Sequence, residues 1–470
     1  MPIRPIQYPV RFTPRGLVDA FDATDKFPGA CLSLANLIFD QSNPEIMVSR
    51  PGVRDITTFP GFDTPGVISC QITVGDYTYG MVATNRNANK DEPFVYNNAT
   101  GAFVTVSGVL DANTPTTQAT AGAWTPPTMA SVGALIFVTH PGFPGGATKF
   151  GHFDITTLTA PSWTAGDTTT SGLSGTPVAV ANFGNRAYFA YTNRLEYTDV
   201  LSLTRTASTQ ALTIGDASFI TALAGLPLQT TSSGVVQTLT AFKAFQIWQV
   251  TGDAATSDLA QNYLSLTVGT SSPRSLAQSP LGLYFASPFG PMAIDQLGVL
   301  RALTNKIGFE ADPDIQSPFQ NATTPSRIAG GYAGGIYRVV METTIRGDTA
   351  TRDYWFHENR RRWTGPHTFG YAAVSQYGNY FVLASNDYPR LIRSDPFALT
   401  SSVYADLGSS FTCTQQSSTF PKDGRMAMKQ VVESTIELAS AQGAASYNIT
   451  ALDDQDNTLG TASVAVQPAG

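Results

Sequence analysis

Short runs of alternating apolar and polar residues recur along this chain, and turns rich in Gly, Pro, Ser and Thr separate them. From about residue 66 to residue 400, seven units repeat this pattern of paired strands; the first unit pairs residues 76–83 with residues 94–96. The spacing of roughly 40–60 residues is the period of propeller blades. Inner blade strands are buried on both faces, which explains their apolar character. The pattern therefore predicts an all-β fold, an irregular six- or seven-bladed β-propeller over residues 61–404.

The two ends of the chain differ from this repeat. Pro2, Pro5, Pro9 and Pro14 favour an extended arm and a lead-in strand over residues 1–60, because proline fixes its own φ and biases the preceding residue toward extended geometry. Residues 405–470 predict a small antiparallel sheet or sandwich that is separate from the blades. Its four candidate strands cover residues 411–414, 426–438, 446–452 and 462–466.

Charged residues make up only 13% of the chain, about half of the roughly 25% that is usual in soluble domains. The hydrophobic fraction is 42%, so the composition is that of a folded protein and not of a disordered one. A folded protein with so few charges must cover its exterior with hydroxyls and amides or bury it against partners. We favour burial against partners, as in a large assembly.

The net charge of −7 argues against a protein that grips nucleic acid, because phosphate neutralisation needs a basic face. It does not argue against a protein that lets DNA slide past. The densest basic feature is Arg360, Arg361 and Arg362, followed by Trp363. It has two interpretations: a tip that contacts DNA or a partner, or a solvated hairpin turn between two blade strands. We favour the hairpin turn.

No cluster of residues with catalytic or metal-binding spacing is found in the sequence. The four histidines, His140, His152, His357 and His367, form no HExxH or Cys/His motif, which favours structural roles. Cys31, Cys70 and Cys413 are far apart and predict small buried residues. We expect no catalytic activity, no metal and no cofactor. No stretch approaches the ~20 apolar residues of a membrane helix, so we expect no membrane insertion.

Paired carboxylates are the remaining chemical candidates, because propeller glycosidases use two of them. The closest pairs are Asp312 with Asp314, Asp348 with Asp353, and the group at residues 453–456. Asp312 and Asp314 lie in an Ala-Asp-Pro-Asp turn, and the group at residues 453–456 is at the tip of a hairpin. A glycosidase therefore stays a minor alternative.

Two stretches carry motifs in an informative order. In the first, an Asn-apolar segment at residues 36–40 precedes an Arg-Pro-Gly sequence. In the second, an apolar strand with a tryptophan ends in Thr-Gly-Asp, and a Val-Gly turn and a Gly-apolar-aromatic-aromatic strand follow. We expect this tryptophan to lie in the core beside Phe245 and Ile247. The residues concerned are Arg50, Pro51, Gly52, Trp248, Thr251, Gly252, Asp253, Gly269, Gly282 and Gly290.

The order and spacing of these motifs resemble the nozzle, or packaged-DNA-stabilising, tail proteins of short-tailed bacteriophages. The resemblance implies a propeller-bearing subunit that forms a ring, with six copies, below the adaptor ring under the portal. Such a ring is the distal channel of the virion tail; it retains the genome, releases it at ejection, and carries fibres or spikes. The partners would be further copies of the chain, the portal-adaptor protein, tail fibres or spikes, and passing DNA. The main alternative is a tail-fibre or receptor-binding module.

Overall fold

A computed structural model of the chain describes residues 16–17, 30–39, 47–58, 67–84, 90–118, 125–146, 148–166, 172–229, 235–255, 258–303, 315–345, 347–386, 390–396, 406–407, 413–417, 445–452 and 458–466. Strands dominate these ranges, and the predicted all-β class is confirmed. The helical elements among them are one short helix and three 3₁₀ turns: α1 (Ser317–Gln320), Asp111–Asn113, Pro273–Ser275 and Pro325–Arg327. None of the helices in this part of the chain is long and apolar enough to cross a membrane.

Five strands precede the first blade: β1 (Gly16–Leu17), β2 (Ala30–Ala35), β3 (Leu37–Phe39), β4 (Met47–Ser49) and β5 (Val53–Thr58). Blade 1 is β6 (Ile68–Val74), β7 (Tyr77–Thr84), β8 (Lys90–Asn97) and β9 (Ala102–Val104). Blade 2 is β10 (Thr128–Val132), β11 (Leu135–Thr139), β12 (Phe150–Asp154) and β13 (Ser162–Gly166). Blade 3 is β14 (Ala179–Phe183), β15 (Arg186–Tyr191), β16 (Arg194–Tyr197) and β17 (Ala211–Thr213).

Blade 4 is β18 (Ile220–Gln229), β19 (Val235–Lys243), β20 (Ile247–Thr251) and β21 (Ala260–Ser265). Blade 5 is β22 (Ala277–Ser279), β23 (Gly282–Ser287), β24 (Gly290–Asp295) and β25 (Leu300–Ala302). Blade 6 is β26 (Ala329–Ala333), β27 (Ile336–Ile345), β28 (Asp348–His357) and β29 (Arg362–His367). Blade 7 takes β30 (Ala373–Tyr377), β31 (Tyr380–Ala384) and β32 (Arg390–Ser394), and its fourth strand is β5. Each blade has four antiparallel strands, and the blade count is seven; the sheet of blade 6 continues beyond β29 into β2, which also pairs with β1 and β33.

The first and last parts of the propeller close the ring together. β5 pairs antiparallel with β32, so a strand from before blade 1 completes blade 7. The inner strand of blade 7, β30, contacts the inner strands of blade 6 and blade 1. β5 thus lies before the boundary at residue 61 that the sequence pattern predicts for the propeller. The reason is that ring closure takes one strand from each end of the repeat.

The hydrophobic core is divided into clusters between neighbouring blades. Blades 5 and 6, for example, meet through Tyr284, Tyr337, Phe356 and Trp363. Every residue of β15 and of β23 is buried, as the two-faced apolar runs predict. Burial of such strands on both faces is the main stabilising contribution, at roughly 25 cal/mol for each Å² of apolar surface.

Trp248 does not lie where the sequence pattern predicts. It is half-buried at the edge of the cluster between blades 3 and 4, and Phe245 is 55% exposed in the turn before β20. The fully buried tryptophans of the described residues are Trp163, Trp355 and Trp363. The prediction is wrong because β20 begins only at Ile247, so the strand is too short for residue 245 to share its alternation.

The last strands form two separate groups. β33 (Thr414–Ser417) pairs antiparallel with β2, so it belongs beside blade 6 and not to the predicted C-terminal sheet. β34 (Ala445–Leu452) and β35 (Thr458–Val466) form an antiparallel hairpin, as predicted. The candidate strand at residues 426–438 and the carboxylates at 453–456 and 312–314 lie outside the described residues.

Candidate functional site

The Arg-Pro-Gly motif forms a buried clasp between the two ends of the propeller. Arg50 is fully buried, and its guanidinium makes a two-pronged ion pair with Asp406, in which the Nη1–Oδ1 distance is 2.9 Å. Arg50 Nε donates to Asn36 Oδ1 at 2.9 Å, and the Val53 amide donates to Asp406 at 3.2 Å. The clasp therefore fastens the strand that enters blade 7 to the segment that leaves it. This arrangement is structural and contains no exposed reactive group.

The other motif residues have structural roles in the turns and in the close packing of the backbone. Gly252 and Gly290 have φ values of +99° and +123°, which L-residues rarely adopt, and each lies in a tight turn. A Cβ on Gly269 would lie 2.0 Å from the Lys243 carbonyl oxygen, and one on Gly282 would lie 2.1 Å from the Ile294 carbonyl oxygen. Thr251 ends β20, and Asp253 caps the next turn by accepting a hydrogen bond from the Ala255 amide at 2.8 Å. These motifs encode blade geometry.

The arginine turn lies where β28 joins β29, at a hairpin between two blade strands. Arg361 is exposed at its tip with a φ of +50°. The guanidinium groups of Arg360 and Arg362 lie over the ring of Phe39 in β3, at 6.0 Å and 5.5 Å from the ring centroid. Both are half-buried, so Arg361 is the member of the trio that faces solvent most fully. One exposed arginine does not make a basic track along a DNA backbone.

The histidines are buried in hydrogen-bond networks. His140 Nε2 lies 2.9 Å from Asp91 Oδ2, and its Nδ1 accepts from the Gly142 amide. His357 and His367 flank the hydroxyl of Thr364, each at 3.3 Å. Burial lowers the pKa of His357 to about 3 and holds the pKa of His367 well below its usual range. In the described ranges, no three His, Cys, Asp or Glu side chains are grouped so that they could hold a metal ion.

His152 is also buried, and burial lowers its pKa to about 4. Cys31 and Cys70 are buried, as predicted, whereas Cys413, just before β33, is exposed, contrary to the prediction. Burial raises the pKa of the Cys31 and Cys70 thiols to about 12, so both stay protonated.

The carboxylates do not converge on one site. Asp353 is fully buried and paired with Arg338 at 2.7 Å, whereas Asp348 is exposed at the start of β28 and paired with Arg352. Glu358 accepts hydrogen bonds from Tyr284 at 2.5 Å and from Tyr332 at 2.6 Å, which ties blade 5 to blade 6. Burial raises the pKa of both tyrosine hydroxyls, so they stay protonated and act as donors.

A cavity of about 620 Å³ lies on the propeller axis, where the inner strands of all seven blades meet. Its lining residues include no aspartate or glutamate in the part of the chain that the structure describes. Arg274 lies in its wall and donates to the Ser69 carbonyl of blade 1 and to the Arg327 carbonyl before blade 6, both at 3.0 Å. This side chain therefore links the 3₁₀ turn Pro273–Ser275, which precedes blade 5, to the inner strand of blade 1.

The exposed apolar surface is concentrated on blades 3 to 5. Of the 13 large apolar residues that are exposed in the described ranges, 10 lie between residues 200 and 299. Exposed apolar side chains are candidates for an interaction site where several lie at the same end of neighbouring blades. The sequence carried a readable signal: Arg274 is the single charged residue between positions 259 and 294.

Four of these residues lie at one end of blades 4 and 5. Phe219 precedes β18, whose first residue pairs with Lys243, so it lies beside the turn that contains Phe245. Leu266 follows Ser265, which pairs with Ile247 at the same end of the blade. Phe289 is in the equivalent turn of blade 5, between β23 and β24. Phe219, Phe245, Leu266 and Phe289 are 46–68% exposed, and with Tyr263 on β21 we name them the blade 4–5 surface.

Comparison with known proteins adds little to this picture. No protein-family model matches the chain, and no curated protein matches it. Among solved structures, the chain is similar to a chain in a crystal structure of BBS1N in complex with ARL6DN, soaked with lead. The TM-score is 0.40 and the identity 9%, over 74% of this chain and 98% of that chain. The class of the protein, a seven-bladed β-propeller, follows from its own strand topology.

Proposed function

We propose that this chain is a structural subunit of a virion, which assembles into the ring of a tail nozzle in a short-tailed bacteriophage. The observation that carries the proposal is the blade 4–5 surface, whose exposed residues Tyr263, Leu266 and Phe289 lie in a stretch, residues 259–294, with one charged residue. A surface of this composition is suited to burial between subunits and poorly suited to solvent. The motif order of the sequence supports the nozzle family in particular, with a ring of six.

In this proposal the ring forms the distal channel of the tail, between the portal-adaptor ring and the fibres or spikes. DNA passes through the central opening that the subunits of the ring enclose. It does not pass along the axis of a single propeller, because the Arg274 side chain lies there and donates to blade 1. The net charge of −7 and the single exposed arginine of the hairpin turn favour a wall that DNA slides past. A wall that gripped many phosphates would slow ejection.

The proposal is tested by the oligomeric state of the purified full-length protein and its affinity for DNA. Sedimentation velocity and electron microscopy should show closed rings of six with a central opening. A gel-shift titration of these rings with duplex DNA should show weak binding at physiological salt. Trimers would instead support a tail-fibre or receptor-binding module. Sub-micromolar, steeply salt-dependent DNA binding would contradict the proposed conduit.

A further inference from the structure

Most outer edges of the blades are short, charged or covered. The outer strands of blades 1, 3 and 5 have three residues each: β9, β17 and β25. Ser107 bridges to β13 of blade 2, and β2 covers β29 of blade 6. The outer strand of blade 7, β5, carries Arg54 and Asp55. Short, charged or covered edges are the usual protection against pairing with another chain.

β21, the outer strand of blade 4, has none of these protections. It is six residues long, and Ala260, Gln261, Asn262 and Tyr263 are all exposed. It contains no charge and no proline, and no other strand of the described ranges pairs with its outer side. Tyr263 is 66% exposed. Such a strand presents a row of backbone donors and acceptors to any extended segment of sufficient length.

The C-terminal hairpin has the complementary feature. β34 and β35 form a two-stranded sheet with eight and nine residues, and neither strand contains a charged residue. A two-stranded hairpin alone is marginally stable in water and gains stability from a third strand or a packing surface. Both of its strands are longer than β21 and, like β21, carry no charge. No like charges would oppose each other in such a pairing.

We propose that the C-terminal hairpin of one copy adds to the β21 edge of a second copy of this chain. The hairpin does not pair with β21 of its own chain. The 27 positions between Ser417 and Ala445 (418–444) could span roughly 90 Å when extended, enough to reach a neighbouring propeller. The chain already covers blade edges in this way, because β5 completes blade 7 and β2 covers blade 6. The contact joins two different surfaces, so it is head-to-tail and generates a ring when the rotation closes.

This inference rests on the proposed ring and specifies its contact, and two full-length variants test it. The edge variant is Gln261→Lys with Tyr263→Lys; the hairpin variant is Asn448→Lys with Ala465→Lys, one lysine on each strand. Thr157→Lys with Thr159→Lys, at exposed turn positions of blade 2, is the charge-matched control. Each test variant alone should sediment as a 50.0 kDa monomer, while the control assembles like the wild type.

The decisive measurement is an equimolar mixture of the two variants. Each pair of chains then retains one intact edge and one intact hairpin, so the mixture should form a two-chain species that cannot grow further. The contact would be overturned by any of three results: the mixture stays monomeric, the wild type is itself monomeric, or each variant alone still forms an assembly of the wild-type mass. Variants that still form closed rings would overturn the contact alone and leave the nozzle proposal standing. If the wild type formed open filaments instead of closed rings, and both variants abolished these filaments, the contact would be supported and the closed ring contradicted.

Discussion

Blades 6 and 7 differ from blades 4 and 5 in whether other strands of the chain cover their outer edges. Beside blades 6 and 7, strands from both ends of the chain cover the sheet edges, and the ion pair between Arg50 and Asp406 fastens the two end segments to each other. Blades 4 and 5 have a bare edge, exposed aromatic residues and few charges. The chain thus completes one side of the propeller by itself and leaves the other side suited to a second molecule.

The largest expected effect is on the free energy of unfolding, when a tryptophan in each of the two regions is replaced by alanine. Trp355 is fully buried in blade 6, and Arg338 lies 4.7 Å from its ring centroid. Trp355→Ala should lower the free energy of unfolding by about 3–5 kcal/mol, the usual cost of emptying a large aromatic site. Trp248→Ala should cost clearly less, because Trp248 is half-buried and packs against Tyr263 at the open edge.

Chemical denaturation of both variants measures this difference. Equal losses would mean that the packing around Trp248 is as complete as that around Trp355. Leu158→Ala is the control, since this residue is 44% exposed in a turn of blade 2 and its loss should leave the unfolding midpoint almost unchanged.

The second effect concerns the clasp. Asp406→Ala leaves the buried guanidinium of Arg50 without its carboxylate, and the stability should fall by about 3 kcal/mol, since an uncompensated buried charge is costly. Asp55→Ala is the matched control: its ion pair with Arg390 is longer, at 3.6 Å, and half-exposed. That variant should lose less than about 1 kcal/mol. A neutral Asp406→Ala would show that the two chain ends are not fastened there.

The third effect is a loss of stability in acid. Burial lowers the pKa values of His357 and His367, so the unfolded chain binds more protons than the folded chain below the ordinary histidine pKa. The stability that comes from keeping these histidines neutral is therefore fully present above about pH 6.5. It falls as the pH drops toward the pKa of His357 in the folded protein, about 3. His357→Gln should flatten the decline in melting temperature between pH 6 and 4.

The sequence carried the blade pattern because burial on both faces leaves long apolar runs, as in residues 282–287. It could not place Trp248, because half-burial depends on where a strand begins and not on residue type. It could not pair β33 with β2, because these strands lie almost 400 positions apart and share no local signal. The Arg-Pro-Gly motif was visible, but its partner Asp406 was not, since nothing near residue 406 marks a buried carboxylate.

The smallest expected effect is at the arginine turn. Arg361→Ala should change stability by less than about 0.5 kcal/mol, because an exposed residue at a hairpin tip has few contacts to lose. Arg362→Ala should cost more, since its guanidinium lies 5.5 Å from the centroid of Phe39 and holds β3 against blade 6. In a gel shift on assembled protein, Arg361→Ala should leave the weak DNA affinity unchanged. If that substitution alone abolished DNA binding, the turn would be a nucleic-acid contact, and the conduit would grip DNA at a ring of arginines contributed by every copy.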